Sequence, residues 1–232
     1  MTERYYPGQT LEDMVGLFRS HYLDETGWLK SAEVKEAVGP KGEPFPWMTY
    51  PAIAFLNKIA SQHHRVFEFG SGGSTAWWRG RVQHVVSVEH DPAWAAETGA
   101  LSCPASDATP DENLERYLAQ VEPFCDTASA NGGLQDRSYA HYLAALADKP
   151  RETFDFIVVD GMARNTAAAI AANVIKESGI IIFDNSDRED YAHGYHLLSQ
   201  AGFARIDFWG PGPINPYGWC TSMFLKDLSC LR

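Results

Sequence analysis

The sequence predicts an α/β protein with a doubly wound, mostly parallel sheet and helices on both faces. Three observations carry this. Short apolar runs such as Val66–Phe69, Val85–Val88, Phe154–Val159 and Ile180–Phe183 alternate with helix-length stretches. The stretch Val66 to Thr75 reads as a buried strand, a glycine-rich turn and the start of a helix. Acids and amides (Glu89, Asp107, Asp160, Asp184, Asn185) stand at or just past predicted strand ends. Ligands of such sheets bind beyond the carboxyl ends of the strands, so these distant residues should converge on one cleft.

The elements follow in chain order. Residues 10 to 26 read as a helix, with Thr10 and Asp13 fitting a capping box and Leu11, Met14, Val15, Phe18, Tyr22 and Leu23 on one face. A second helical stretch runs through Val34 and Val38, and 39 to 46 is a proline-rich loop. Residues 1–50 are thus expected to form a helical N-terminal extension or lid, and 51–232 the main domain. Trp47 and Tyr50 either pack that extension onto the sheet or help to cover the ligand. Pro51 opens a helix over 51 to 61. After Glu89, Asp91–Pro92 opens a short helix. Leu101 to Ala105 reads as a third strand ending before Asp107, and Asn113 to Val121 as a short helix. Residues 107 to 137 read as an insertion. Tyr139 to Ala147 is helical, and Phe154 to Val159 is a strand that delivers Asp160. An alanine-rich helix, Ala163 to Glu177, is expected to stop at Gly179. Ile180 to Phe183 then delivers Asp184 and Asn185. A helix over 188 to 200 ends at Gly202, and Phe203 to Trp209 and Trp219 to Leu225 read as two last strands.

Bulk properties narrow the function. The formal net charge of the 232 residues is −11, and the arginines are scattered, which disfavours nucleic acid as a partner. No apolar run approaches the roughly 18 residues of a membrane span, and the first residues lack the apolar core of a signal peptide. The four cysteines form no CxxC pair and no zinc spacing, which fits reduced thiols in a cytoplasmic protein.

The glycine turn points to a nucleoside. Nineteen positions after Gly70 stands Glu89, placed to accept from a ribose diol. A dinucleotide loop would carry a third glycine where Thr75 stands, and Glu68 would repel a pyrophosphate. A cationic adenosyl ligand without phosphates fits better, and S-adenosylmethionine has that character. At these residues the chain resembles the class I S-adenosylmethionine-dependent methyltransferases, over about residues 50 to 226. Phe67-Glu68-Phe69-Gly70-Ser71-Gly72-Gly73-Ser74 resembles their first motif, with Ser74 where a third glycine is commonest. The resemblance implies a Rossmann-like sheet of seven strands with an antiparallel C-terminal strand. It implies a cofactor set of Glu68, Gly70, Ser71, Gly72, Gly73, Ser74, Thr75, Glu89, His90 and Asp160. Asp107 would match the acid that contacts the adenine amine.

The acceptor side is read from Asp160, Asp184 and Asn185. They are similar to the metal ligands of cation-dependent O-methyltransferases of the catechol and caffeoyl-coenzyme A type. That similarity implies Mg²⁺, a hydroxyl acceptor and a basic residue near the first ligand, for which Arg164 is available. Asp and Asn at strand ends equally serve to hydrogen-bond the following turn. Without a metal, Asp160 or His193 is the candidate general base, although His193 and His196 also suit an ordinary helix surface. Trp47, Tyr50, Trp77, Trp78, Tyr191, Trp209, Tyr217 and Trp219 are available to line a small-molecule acceptor pocket, or to fill the core. Two other classes stay open: a nicotinamide-dependent oxidoreductase, and a non-catalytic protein that binds an adenosyl ligand on the same fold.

Overall fold

In the computed structural model the described residues are 21–97, 114–119 and 139–227, together with positions 12, 15 and 16. The chain enters through a single helical turn, Leu23–Glu25, and α1, Trp28–Val34. There follow α2 (Tyr50–Ile59), β1 (Arg65–Phe69), α3 (Gly73–Arg79), β2 (His84–Glu89), α4 (Pro92–Glu97) and β3 (Leu114–Leu118). The second half contains α5 (Ala140–Ala147), β4 (Phe154–Val159), α6 (Arg164–Val174), β5 (Ile175–Asp184), α7 (Ala192–Gln200), β6 (Ala204–Pro211) and β7 (Gly218–Leu225).

The seven strands form one sheet in the order β3-β2-β1-β4-β5-β7-β6. The first five are parallel, and β7 runs antiparallel between β5 and β6. The sheet is thus the Rossmann-like, doubly wound one expected. Strand order reverses between β1 and β4, the place where such sheets open a crevice. The register sharpens this. Phe69 lies opposite both Val88 and Val159, and Val159 lies opposite Phe183. The next residue in each strand direction is Gly70, Glu89, Asp160 or Asp184, so these four stand in one row across the sheet.

Burial follows the pleat, with successive side chains on opposite faces. Phe67, Phe69, Val86, Val88, Ile157, Val159, Ile181 and Phe183 face one core, packed with α5, α6 and α7. Val66, Val85, Phe156, Val158, Ile180 and Ile182 face the other, packed with α2 and α3. The central strands are covered on both faces, which is why they read as continuous apolar runs rather than as alternation.

Four sequence expectations are corrected. The stretch around 114–118 is the strand β3, not a helix: Val85 to Glu89 of β2 pair with Leu114 to Leu118 in parallel. Helix-favouring Leu, Glu and Arg yield there to an available sheet edge, and Glu115 is fixed by His84 and Lys149, each at 3.2 Å. The expected insertion over 107–137 therefore contains a strand of the sheet. The alanine-rich helix ends at Val174 rather than near Gly179, because Ile175 pairs with Phe154. The register of β5 then shifts, and Gly179 sits inside the irregularity, where a Cβ would lie 2.6 Å from the Ile175 side chain. The second lead-in helix stops at Val34, with Lys35 left-handed, and Val38 instead bridges to Pro44. Thr10, Asp13, the Leu101–Ala105 strand and Asp107 lie outside the described residues.

Candidate functional site

The turn after β1 is held from three sides. Gly70 has φ +91° and donates to the Val88 carbonyl at 2.9 Å. A Cβ on it would come within 3.3 Å of the Gly161 Cα, so the turns after β1 and β4 meet at two glycines. Glu68 is fully buried on the α3 side of β1. Its Oε2 accepts from Thr75 Oγ1 at 2.5 Å and from Ser87 Oγ at 3.0 Å, while Oε1 has no partner among the described residues. Thr75 Oγ1 in turn accepts the Gly72 N–H at 3.0 Å. The hydroxyl at the position of the missing third glycine thus joins the motif acid to the turn. Burial pushes Glu68 up to about 7, against the surrounding hydroxyls and with help from Glu89.

Glu89 ties this turn to the next one. Its Oε2 accepts the Ser71 N–H at 2.9 Å, and its Oε1 accepts the N–H groups of His90 and Asp91 at 2.7 and 2.9 Å. His90 Nδ1 lies 2.9 Å from Oε1. Burial pushes Glu89 up, but these hydrogen bonds outweigh it and hold the group below the ordinary carboxylate range. Ser71 Oγ meets Ser87 Oγ at 2.6 Å, and Ser74 is buried at the start of α3. The His90 ring packs on Tyr139 and Tyr142. Trp94 was not singled out from sequence; its Nε1 donates to the Ser71 carbonyl at 2.7 Å, and its ring stays partly exposed beside Gly72. An aromatic two residues past the Asp91–Pro92 step was the available signal.

The ends of β4 and β5 are joined by one side chain. Arg164, the first residue of α6, donates from Nε to the Gly161 carbonyl at 2.8 Å. Nη1 reaches the Asp184 carbonyl at 2.6 Å and Asn185 Oδ1 at 3.2 Å. Nη2 reaches the Asp160 carbonyl at 2.9 Å and Asp160 Oδ1 at 3.1 Å. The guanidinium also lies over the Tyr191 ring, 5.1 Å from its centroid. Ala163 and Asn185, on either side of this clamp, are left-handed at φ +52° and +51°. Each such residue costs about 1–2 kcal/mol, a cost the clamp must offset. Asp184 Oδ1 accepts from Trp219 Nε1 at 3.0 Å and from Thr221 Oγ1. Burial, and then the charge of Asp184, push Asp160 well above the ordinary range, against Arg164. Burial raises Asp184 as well, opposed by Thr221, Arg164 and Trp219.

The donor set does not fit the Mg²⁺ expected at Asp160, Asp184 and Asn185. A small hard cation needs oxygens at about 2.0–2.1 Å around it. Asp160 Oδ1 and Asn185 Oδ1 are bound by a guanidinium instead, and Asp184 Oδ1 by an indole and a hydroxyl. Among the described residues no group of three or more His, Cys, Asp or Glu is placed to hold a metal. His193 is exposed on α7, and no hydrogen bond or ion pair joins it to Asp160. Of the expected pocket aromatics, Tyr50, Trp77, Trp78 and Trp219 are buried and Tyr191 is half-buried, whereas Trp47, Trp209 and Tyr217 are exposed. The Phe45 carbonyl lies 2.7 Å from where a Gly73 Cβ would be, so the lead-in rests on the start of α3.

The donor set does fit an adenosyl cation: two acids, one with a buried oxygen that has no partner among the described residues, flank the glycine turn. No protein-family model matches the sequence, and no curated protein does. Among solved structures, a spermidine synthase in complex with the transition-state analogue AdoDATO matches at TM-score 0.51 and 14% identity, over 75% of this chain. The chain spans 56% of that enzyme's length. A precorrin 8W decarboxylase from Methanobacterium thermoautotrophicum matches at 0.50 and 15%, over 82% of this chain and 96% of its own. A methyltransferase-like protein from Silicibacter pomeroyi matches at 0.48 and 23%, over 79% and 90%. At such identities the likeness is one of fold. The chain shares the Rossmann-like sheet and helix arrangement of the spermidine synthase and the decarboxylase.

Proposed function

We propose that this chain is an S-adenosylmethionine-dependent methyltransferase that acts on a hydroxyl of a small molecule in the cytoplasm. One observation carries the reading: Gly70, Glu89, Asp160 and Asp184 stand in one row at the switch point of the sheet. The cofactor's place is over the Gly70–Gly73 turn. Glu89, held ionised, accepts from the ribose hydroxyls with the lone pairs its three N–H partners leave free. Glu68 and the acidic row favour a sulfonium and an ammonium. When bound, S-adenosylmethionine supplies the electrophilic methyl group.

The acceptor's place is beside Asp160. Burial and Asp184 raise its carboxyl, so that in its ionised form it is a stronger acceptor for a hydroxyl proton than an ordinary carboxylate. His193 is the weaker candidate because it is exposed and unconnected to this cluster. Mg²⁺ assistance finds no support in the donor set. The contact of Phe45 with the start of α3 supports a lid role for the N-terminal extension. The net charge of −11 supports a small acceptor over a nucleic acid. A panel of hydroxylated small molecules incubated with S-adenosylmethionine tests the reading. Release of S-adenosylhomocysteine with one of them, falling about 10²–10⁴-fold in Asp160→Asn, is the expected result. Turnover of a nicotinamide cofactor instead would overturn it.

A further inference from the structure

A guanidinium has five N–H donors and no acceptor. In Arg164 all five are committed: one from Nε and two from each terminal nitrogen. Three of them satisfy the carbonyls of Asp160, Gly161 and Asp184, at the ends of two parallel strands. The other two hold side-chain oxygens of Asp160 and Asn185. The side chain is 9% exposed, and Tyr191 covers one of its faces.

We propose that the Arg164 guanidinium is a built-in cation that stands in place of a divalent ion between β4 and β5. The acceptor side is then organised without a metal. Two facts favour this over a simple surface ion pair. The fork reaches both strands at once, which a lone carboxylate pair does not require. Both flanking turns also hold a left-handed residue: Ala163, directly before Arg164, and Asn185, whose side chain the fork binds. A metal entering between Asp160 and Asn185 would have to displace two of the five hydrogen bonds and sit against a like charge that cannot be deprotonated. Arg164 acts through the residues it positions; with no donor left, it is not itself an anchor for an anionic acceptor.

This rests on reading the cleft as an acceptor site, but its test needs no methyl transfer. The probe is Mn²⁺, titrated calorimetrically into the full chain after treatment with EDTA. The wild type is expected to show no saturable one-to-one site. Arg164→Ala is expected to gain one, at least about tenfold tighter than any wild-type binding, and to lose it again when Asp184→Asn is added. Arg164→Lys, which keeps the charge without the fork, should exclude Mn²⁺ as the wild type does. A one-to-one wild-type site that Asp160→Asn removes would overturn the proposal. So would a folded Arg164→Ala that gains no site. If Arg164→Ala does not fold, Arg164→Gln, which removes the charge and keeps a polar side chain, takes its place: a gained Mn²⁺ site supports the proposal and its absence in the folded variant overturns it. Failure of the methyltransferase reading shows separately, as absence of S-adenosylhomocysteine binding.

Discussion

Glu68 combines a buried carboxylate, one bonded oxygen and one free one. Its folded-state pKa of about 7 exceeds the ordinary 4.5. The folded state therefore binds this proton more tightly than the unfolded chain. Stability from this group is complete below the unfolded value and is lost as pH rises through about 7. The difference corresponds to about 3 kcal/mol. Glu68→Gln should therefore raise the unfolding free energy at about pH 8 by up to that amount and leave it nearly unchanged at about pH 4.5. Denaturant titrations at the two pH values check this; equal effects at both would contradict the assignment. The same variant should weaken S-adenosylhomocysteine binding, since the retained acid costs stability for a site. Glu89 behaves differently. Glu89→Ala strands three backbone N–H groups and removes the ribose acceptor, so it should lower both melting temperature and S-adenosylhomocysteine affinity, the latter by about tenfold or more. Glu89→Gln, which keeps an acceptor oxygen, should lose less of each.

Between elements, the cleft is set by turns that touch. The turns after β1 and β4 meet at Gly70 and Gly161, with the Tyr142 hydroxyl of α5 directly beneath. A Cβ at Gly161 would collide with that hydroxyl and stand 3.2 Å from the Gly70 nitrogen. Gly161→Ala should cost about 1–3 kcal/mol in thermal or denaturant unfolding. In a Tyr142→Phe background part of that cost should disappear, and strict additivity would deny the contact. Elements carrying acids at their ends were legible in the sequence because an apolar run, an acid and a turn coincide at Glu89, Asp160 and Asp184. β3 was not legible, because Leu114 to Leu118 carries no turn signal and takes its conformation from pairing with β2. The end of α6 was hidden too: Gly179 imitates a helix cap but serves a strand irregularity. Arg164 was legible as a nearby base but not as a saturated clamp, since five hydrogen bonds depend on how two turns approach each other.

Across the whole molecule, strand order and register bring residues from β1, β2, β4 and β5 into one row. The antiparallel β6–β7 pair closes the sheet and supplies Trp219 and Thr221 to Asp184. Among the described residues, no helix is long and apolar enough to cross a membrane. The fold was readable because periodicity and strand-end chemistry agreed over most of the chain. The acceptor was not, because the aromatics left exposed, Trp47, Trp209 and Tyr217, stand at positions that carry no such pattern. On the function proposed above, the glycine turn, Glu68 and Glu89 form a site for a cationic adenosyl ligand. Calorimetric titration of S-adenosylmethionine, with NAD as the comparison, tests it most directly. One saturable S-adenosylmethionine site per chain is expected, weakened in Glu89→Ala, with no comparable heat from NAD. Saturable NAD binding without any response to S-adenosylmethionine would contradict it.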